Sequence, residues 1–332
     1  MILQKPVTLN NKNGDPRKVG FELEFSGLEL DKTADLIKEL YGGEIIEKHR
    51  YEYEVNNTDL GNFRVELDAR ILRKMADEDT LKKFGLNFEK ESILKSVEDF
   101  LDKAAKTVVP LEVVMPPISV ETIPKLESLR RKLQQHKAEG TKASLMHILG
   151  MHINVETPDL EISTLLRYLR SILLVYPWLL QKLNIDITRK LSPFVDPYPG
   201  KYVLKVLDVD YSPSKGQFIN DYLAYNATRN RPVDFLPILA MLDEEKVNRE
   251  LEDEKNTPRP TFHYRLPNSN IDNPEWSFTE EWNYWMAVEK LAEDKDLIMK
   301  LSKLYRLRAA GSFVSFKKEW AETINIFLEP DE

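Results

Sequence analysis

The chain has 332 residues, 42% apolar and 31% charged, which excludes disordered, collagen-like and low-complexity classes and leaves enough apolar surface for a real core. Its 47 Lys and Arg against 55 Asp and Glu give a net charge of −8 without a strong basic cluster, so a nucleic-acid surface is not expected. There is no cysteine, no signal-peptide h-region at the N-terminus and no apolar run of membrane length, residues 172–180 being the longest; a soluble, cytoplasmic protein without membrane or nucleic-acid partners is expected.

Residues 19–25 alternate, with Val19, Phe21, Leu23 and Phe25 on one face of a strand and Gly20, Glu22 and Glu24 on the other. Asp31 is placed to cap a helix over 32–41, whose stripe of Ala34, Ile37 and Leu40 ends at Gly42 and Gly43. A hairpin follows, in which 50–55 sets Tyr51, Tyr53 and Val55 against Glu52 and Glu54. The chain turns over 56–62, and 63–68 sets Phe63, Val65 and Leu67 against Arg64, Glu66 and Asp68. A helix is expected over 88–107, then a short strand over 109–115 with Glu112 and Val114 on one face, ended by Pro116 and Pro117.

Leu126, Leu129 and Leu133 trace a helix after Thr122, and 150–156 alternates Met151, Ile153 and Val155 with His152, Asn154 and Glu156. Ile162, Leu165, Leu166, Leu169, Ile172 and Leu173 mark a buried helix, with a bend or break expected at Pro177. The charged tract 243–260 reads as an exposed helix end and loop, and 261–266 as a strand with His263 and Arg265 on one face. Ser277 with Glu280 reads as a capping box opening the last helical region. Strands interleaved with helices predict one mixed α+β domain over 1–332, with a largely helical portion at about 160–260.

Five strands thus carry polar residues opposite an apolar row: Glu22 and Glu24, Glu66 and Asp68, Glu112, His152 and Asn154, and His263 and Arg265. A solvated sheet face would carry Lys and Thr; this one gathers carboxylates, which cannot all stay ionised at close range without counter-charge. Divalent cations supply it, and an oxygen-rich set with a minority of imidazole suits Mg²⁺ or Mn²⁺ rather than structural zinc. Such ions are commonly shared with nucleotide phosphates, and in phosphoryl transfer they stabilise the moving charge.

The ordered set Gly20-Phe21-Glu22-Leu23-Glu24, Val65-Glu66-Leu67-Asp68, Leu111-Glu112-Val113 before Pro116-Pro117, Gly150-Met151-His152-Ile153-Asn154 and Tyr264-Arg265 resembles the amidoligase family, over roughly residues 18–290. That family is itself similar to the glutamine synthetase and glutamate–cysteine ligase superfamily of ATP-dependent carboxylate–amine ligases. The resemblance implies a curved antiparallel sheet with helices packed on one face, binding ATP and two or three Mg²⁺ ions on its concave side. It implies an acyl-phosphate intermediate that an amine attacks. On the matching positions, Glu22 and Glu24 fall on paired metal-ligand glutamates, Glu66 and Glu112 on further metal ligands or amine-site acids, His152 on a metal-binding, phosphate-proximal histidine and Arg265 on the arginine that steadies the transferred phosphoryl group. The family usually ends with Glu-x-Arg where this chain has His263-Tyr264-Arg265, so the site would use Mn²⁺, hold one ion fewer, or be weakened.

The expected metal set is therefore Glu22, Glu24, Glu66, Asp68, Glu112, His152 and His263, with Arg265, Glu66 and Glu112 catalytic and Asn154, Arg229 and Arg231 toward the nucleotide. The two arginines fit phosphate, and equally a helix end or a pair with Asp234. Gly140-Thr141 reads as a turn, His49, His136 and His147 as surface or satisfied histidines, and Trp276, Trp282 and Trp285 as packing against the sheet. The expected substrates are a carboxylate and an amine borne by an amino acid, peptide or small protein, with the oligomeric state open, including a homo-oligomer. The alternatives are a metal-dependent phosphotransferase or hydrolase on the same acidic sheet, or a degenerate nucleotide- or peptide-binding protein.

Overall fold

The alternating segments come together as one nine-stranded antiparallel sheet in the computed structural model, which describes residues 1–67, 110–141, 149–185, 196–251, 257–309 and 313–328. The strands are β1 (Lys18–Phe25), β2 (Glu44–His49), β3 (Glu52–Thr58), β4 (Gly61–Leu67), β5 (Leu111–Val114), β6 (Ile118–Ser119), β7 (Met151–Glu156), β8 (Val233–Asp234) and β9 (Thr261–Tyr264). Their order is β2-β3-β4-β5-β1-β7-β9-β8, with β6 pairing β1 off that path, so β1 lies inside the sheet between β5 and β7.

The apolar face is what the sequence pattern demands. Val19, Phe21, Leu23 and Phe25 of β1, Val113 of β5, Ile153 of β7 and Phe262 of β9 are fully buried under helices. Helix α1 (Leu30–Tyr41) packs Ala34 and Ile37 below the β3–β4 hairpin, and Tyr41 stacks on Phe63 at 5.5 Å. Helix α2 (Glu127–Gln135) follows a 3₁₀ turn over Val120–Leu126. The long α3 (Ile162–Lys182) stacks Tyr168 on Phe262 at 4.7 Å. Three short helices and one longer one come next: α4 (Gly200–Val206), α5 (Lys215–Asn226), α6 (Leu236–Leu242) and α7 (Glu244–Glu250). Helix α8 (Phe278–Glu293) opens on Ser277, whose Oγ accepts from the Glu280 N–H at 3.0 Å, the capping expected from sequence. It sets Trp285 against Phe262 and Tyr264 of β9 and Phe278 edge-on to Phe21, the packing role expected of the tryptophan group. Helices α9 (Lys295–Ala309) and α10 (Phe313–Leu328) close the chain against α3. No helix among the described residues is long and apolar enough to cross a membrane.

Several local expectations are corrected. Helix α3 runs unbroken through Pro177, in a neighbourhood that α10 reinforces: the Trp320 indole donates to the Leu174 carbonyl at 2.8 Å, next to Leu173, whose carbonyl loses its i+4 donor to the proline ring. Helix α1 starts two residues earlier than expected, with Glu29 at its cap, while Asp31 accepts from the neighbouring Lys32 N–H at 2.6 Å. The helical portion is interrupted by β8, which is too short to alternate, and β2, whose two adjacent isoleucines break the period, was not foreseen. The helix expected over 88–107 and Asp68 lie outside the described residues.

One buried ion pair ties these layers together. Arg17, just before β1, meets both oxygens of Glu289 on α8 at 2.8 and 3.0 Å, and the same carboxylate accepts from Tyr168 of α3 at 2.6 Å and from the Trp285 indole at 2.9 Å. The Arg17 Nε donates to the Glu156 carbonyl at the end of β7 at 2.8 Å. Both charges are desolvated, so removing one strands the other. Arg17→Ala should lower unfolding stability by about 3–5 kcal/mol in urea titration; a loss below about 1 kcal/mol, the range of exposed pairs, would show that the pair carries no such weight.

Candidate functional site

The opposite face of the sheet carries the polar residues, and its centre is as buried as the core. Cross-strand register places Glu24 beside Glu112, Glu22 beside His152, and Asn154 between Gly20 and His263. Glu22, Glu24, Glu112, His152 and His263 are all at most 7% exposed, so at this site the polar row is an interior rather than a solvated surface.

The contacts within the group are close. Glu22 Oε2 accepts from His152 Nδ1 at 2.9 Å, and Glu22 Oε1 accepts from the Asn154 amide at 3.0 Å. His152 Nε2 then faces Glu24 Oε1 at 3.7 Å, while Glu24 Oε2 accepts from the Gly150 N–H at 2.7 Å. His263 Nδ1 lies 2.7 Å from Asn154 Oδ1, its Nε2 is 3.9 Å from Glu22 Oε2, and the two imidazole centroids are 5.0 Å apart. Two sets offer ligand atoms lying within 4.8 Å of one another, Glu22 with His152 and His263, and Glu24 with Glu112 and His152. His263 Nε2 is buried and has no hydrogen-bond partner among the described residues. Carboxylates with two imidazoles and one unpartnered ring nitrogen are a donor set that fits a divalent cation.

Electrostatics change sign beyond His263. Asp234 of β8 lies opposite His263 in register and is fully buried, with Oδ1 accepting from the Leu236 N–H at 2.9 Å and Oδ2 3.7 Å from Arg229 Nε. Burial pushes its carboxyl above the usual aspartate range, while the nearby Arg265, Arg229 and Arg259 cations oppose that rise. The backbones of two of those arginines are tied to the segments flanking β8: the Arg265 N–H donates to the Pro232 carbonyl, just before the strand, at 2.9 Å and the Arg259 N–H to the Pro237 carbonyl, in the first turn of α6, at 3.1 Å. Burial, reinforced by Arg265, holds the His263 imidazole well below the usual histidine range, so the ring is neutral at pH 7 and its lone pair is available.

The remaining candidates separate. Glu66 pairs with Glu112 and Glu52 in register, extending the acidic row toward the hairpin, but it is half-buried and 2.9 Å from Arg64. Arg229 stands at the arginine cluster. Arg231 instead donates to the Pro197 carbonyl at 2.8 Å and to the Tyr225 carbonyl, in the last turn of α5, at 2.9 Å, the helix-end role that the sequence left open. Thr141 braces two segments, donating to the Leu149 carbonyl at 2.6 Å, and His49 pairs with Glu52 at 3.2 Å at the exposed edge. His136 is bonded to the Lys132 carbonyl, and His147 lies outside the described residues. Arg259 escaped the sequence reading because it sits in a charged tract without periodicity; its only signal was the proline after it, which opens a strand.

A family model described as "Putative amidoligase enzyme" matches residues 15–287, the span that holds every one of these side chains. The chain belongs to that amidoligase family. No curated protein and no solved structure matches it. Membership makes the chain a ligase-like enzyme in the general sense. For this amidoligase, neutralising one ligand of the cluster is the direct probe. Glu24→Gln should weaken Mn²⁺ binding by at least about tenfold in calorimetric titration while the circular dichroism spectrum stays unchanged. Unaltered affinity in both Glu24→Gln and Glu22→Gln would be fatal to the metal-site assignment.

Proposed function

We propose that this amidoligase is an ATP-dependent carboxylate–amine ligase whose catalytic unit is the whole chain, built on a sheet of the glutamine synthetase and glutamate–cysteine ligase type. The observation that carries the reading is the juxtaposition on one buried sheet face of a carboxylate–imidazole cluster and, one strand further on, the arginines around Asp234. Transfer of a phosphoryl group from ATP to a carboxylate needs cations on both the donor and the migrating group, and little covalent work from the protein. In the proposed sequence a substrate carboxylate oxygen attacks the γ-phosphorus, ADP leaves, and an amine displaces phosphate from the acyl carbon to form the amide.

Glu22, Glu24, Glu112, His152 and His263 are the residues that would hold Mg²⁺ or Mn²⁺, and the ion when bound would neutralise phosphate charge. Arg265 shares its face with His263 and supplies a guanidinium for the phosphoryl oxygens, with Arg229 and Arg259 adding positive potential beside it. Glu66 and Glu112, continuing the acidic row, suit the amine partner: they attract an ammonium group and can take the proton it loses. Neutral His263, where relatives carry a glutamate, favours Mn²⁺ over Mg²⁺ because imidazole is a softer donor than carboxylate.

The test is to supply purified protein with ATP, Mn²⁺ and pools of amino acids and peptides. A ligase releases ADP only with both a carboxylate and an amine present; release with neither identifies a hydrolase, and binding without release a degenerate receptor. Arg265→Ala should cut turnover roughly a hundredfold or more with little change in ATP affinity, because its role lies in the transition state. Normal turnover would move the phosphoryl contact to Arg229 or Arg259. His263→Glu should raise Mg²⁺ affinity relative to Mn²⁺ by direct titration, and an unchanged ratio would remove His263 from the ligand set.

A further inference from the structure

Asn154 lies between Glu22 and His263 with an amide that reaches both, and the chemistry of the two neighbours leaves it one orientation. A carboxylate only accepts hydrogen bonds, so the amide must turn its NH₂ group to Glu22 Oε1, at 3.0 Å. Its oxygen is then committed to His263, where it meets Nδ1 at 2.7 Å. An amide oxygen cannot donate, so the proton on a neutral His263 ring must sit on Nδ1 and the lone pair on Nε2. Nε2 is the buried atom without a hydrogen-bond partner among the described residues, and it stands 3.9 Å from Glu22 Oε2 within the carboxylate–imidazole cluster. The other oxygen of Glu22 accepts from His152 Nδ1 at 2.9 Å, and His152 Nε2 lies 3.7 Å from Glu24 Oε1.

We propose that Asn154 is a positioning residue which relays the acceptor character of Glu22 to His263 and fixes the Nδ1–H tautomer there, so that the Nε2 lone pair of His263 is presented to the carboxylate–imidazole cluster. In this role Asn154 acts through His263. In water nothing holds a neutral imidazole to one ring orientation; here a carboxylate and one amide fix both the orientation and the tautomer of His263 before any ion arrives. The proposal rests on the reading of the cluster as a divalent-cation site, but its structural half stands in the metal-free protein and can be tested there.

The experiment is nitrogen-15 NMR of the two imidazoles in the metal-free full chain, followed by calorimetric titration with Mn²⁺. In the native protein the His263 ring should show a protonated Nδ1 and an unprotonated Nε2. Asn154→Leu, close in shape but without hydrogen bonds, should leave the His152 signals unchanged, convert His263 to a mixture of tautomers, and weaken Mn²⁺ binding by roughly ten- to a hundredfold. Asn154→Asp keeps an acceptor oxygen for His263 and should retain the His263 Nδ1–H tautomer. An Nε2–H tautomer at His263 in the native protein overturns the proposal without need of any variant. So does an unchanged His263 tautomer in Asn154→Leu. If the tautomers behave as stated but native protein takes up no Mn²⁺, the relay stands as an apo-state feature, and it is the cation-site reading, and with it the role of the relay, that falls.

Discussion

Glu22 accepts from His152 with one oxygen and from Asn154 with the other, and this doubly satisfied carboxylate is the contact on which the polar interior depends. An ionised carboxyl group taken out of water costs several kcal/mol unless its oxygens are hydrogen-bonded. Glu22 meets that condition from the neighbouring strand, because β7 presents His152 directly opposite it and Asn154 two residues on, on the same face. Glu24 is served by a backbone N–H, that of Gly150 at the entry to β7. The central acidic residues are therefore held by β7 and not by solvent, which is why they can lie on an interior strand.

Such a sheet has no wet face at its centre, and the rest of the architecture follows from needing to fasten both sides. On the apolar side α1, α3 and α8 cover the strands with aromatic contacts. The Arg17–Glu289 pair joins the start of β1 to α8, with Tyr168 of α3 on the same carboxylate, so the strand bearing Glu22 and Glu24 is anchored from beneath at its first residues. On the polar side the two-residue strand β8 is held in place by the Tyr198 hydroxyl on the Val233 carbonyl and by the backbone bonds from Arg259 and Arg265. That is how so short a strand can carry a buried carboxylate opposite His263.

The period-two pattern made the central strands legible, since each alternates cleanly enough to tell which residues share a face: β1, β4, β5, β7 and β9. It also made the polar set legible, because residue type on that face was wrong for a solvated surface. What it could not show was depth. Glu66 and Glu22 look alike in sequence, yet one lies half-buried beside Arg64 and the other lies under the surface between two strands. Asp234 and Arg259 were out of reach for a related reason: a two-residue strand has no period, and Arg259 comes into position through a backbone bond to Pro237, 22 positions earlier in the chain. The same blindness to tertiary support made Pro177 look like a bend or a break, when Trp320, 146 residues from Leu174 in sequence, supplies an indole donor nearby.

The polar face is divided by charge, and His263 stands on the boundary. Toward β1 and β5 lie Glu22, Glu24 and Glu112; toward β8 lie Arg229, Arg259 and Arg265 around the single carboxylate of Asp234. A charged residue on the boundary would join one side or the other. A carboxylate there would be drawn to Arg265, close enough to perturb His263 itself, and a protonated imidazole would be drawn to Glu22. Either would place a net charge on the boundary. A neutral ring, kept neutral by burial and by the Arg265 cation, does neither, so the two fields stay separate a few ångströms apart. That separation suits a reactant carrying charge of both kinds, such as a cation–phosphate complex whose positive part faces the glutamates and whose negative part faces the guanidiniums.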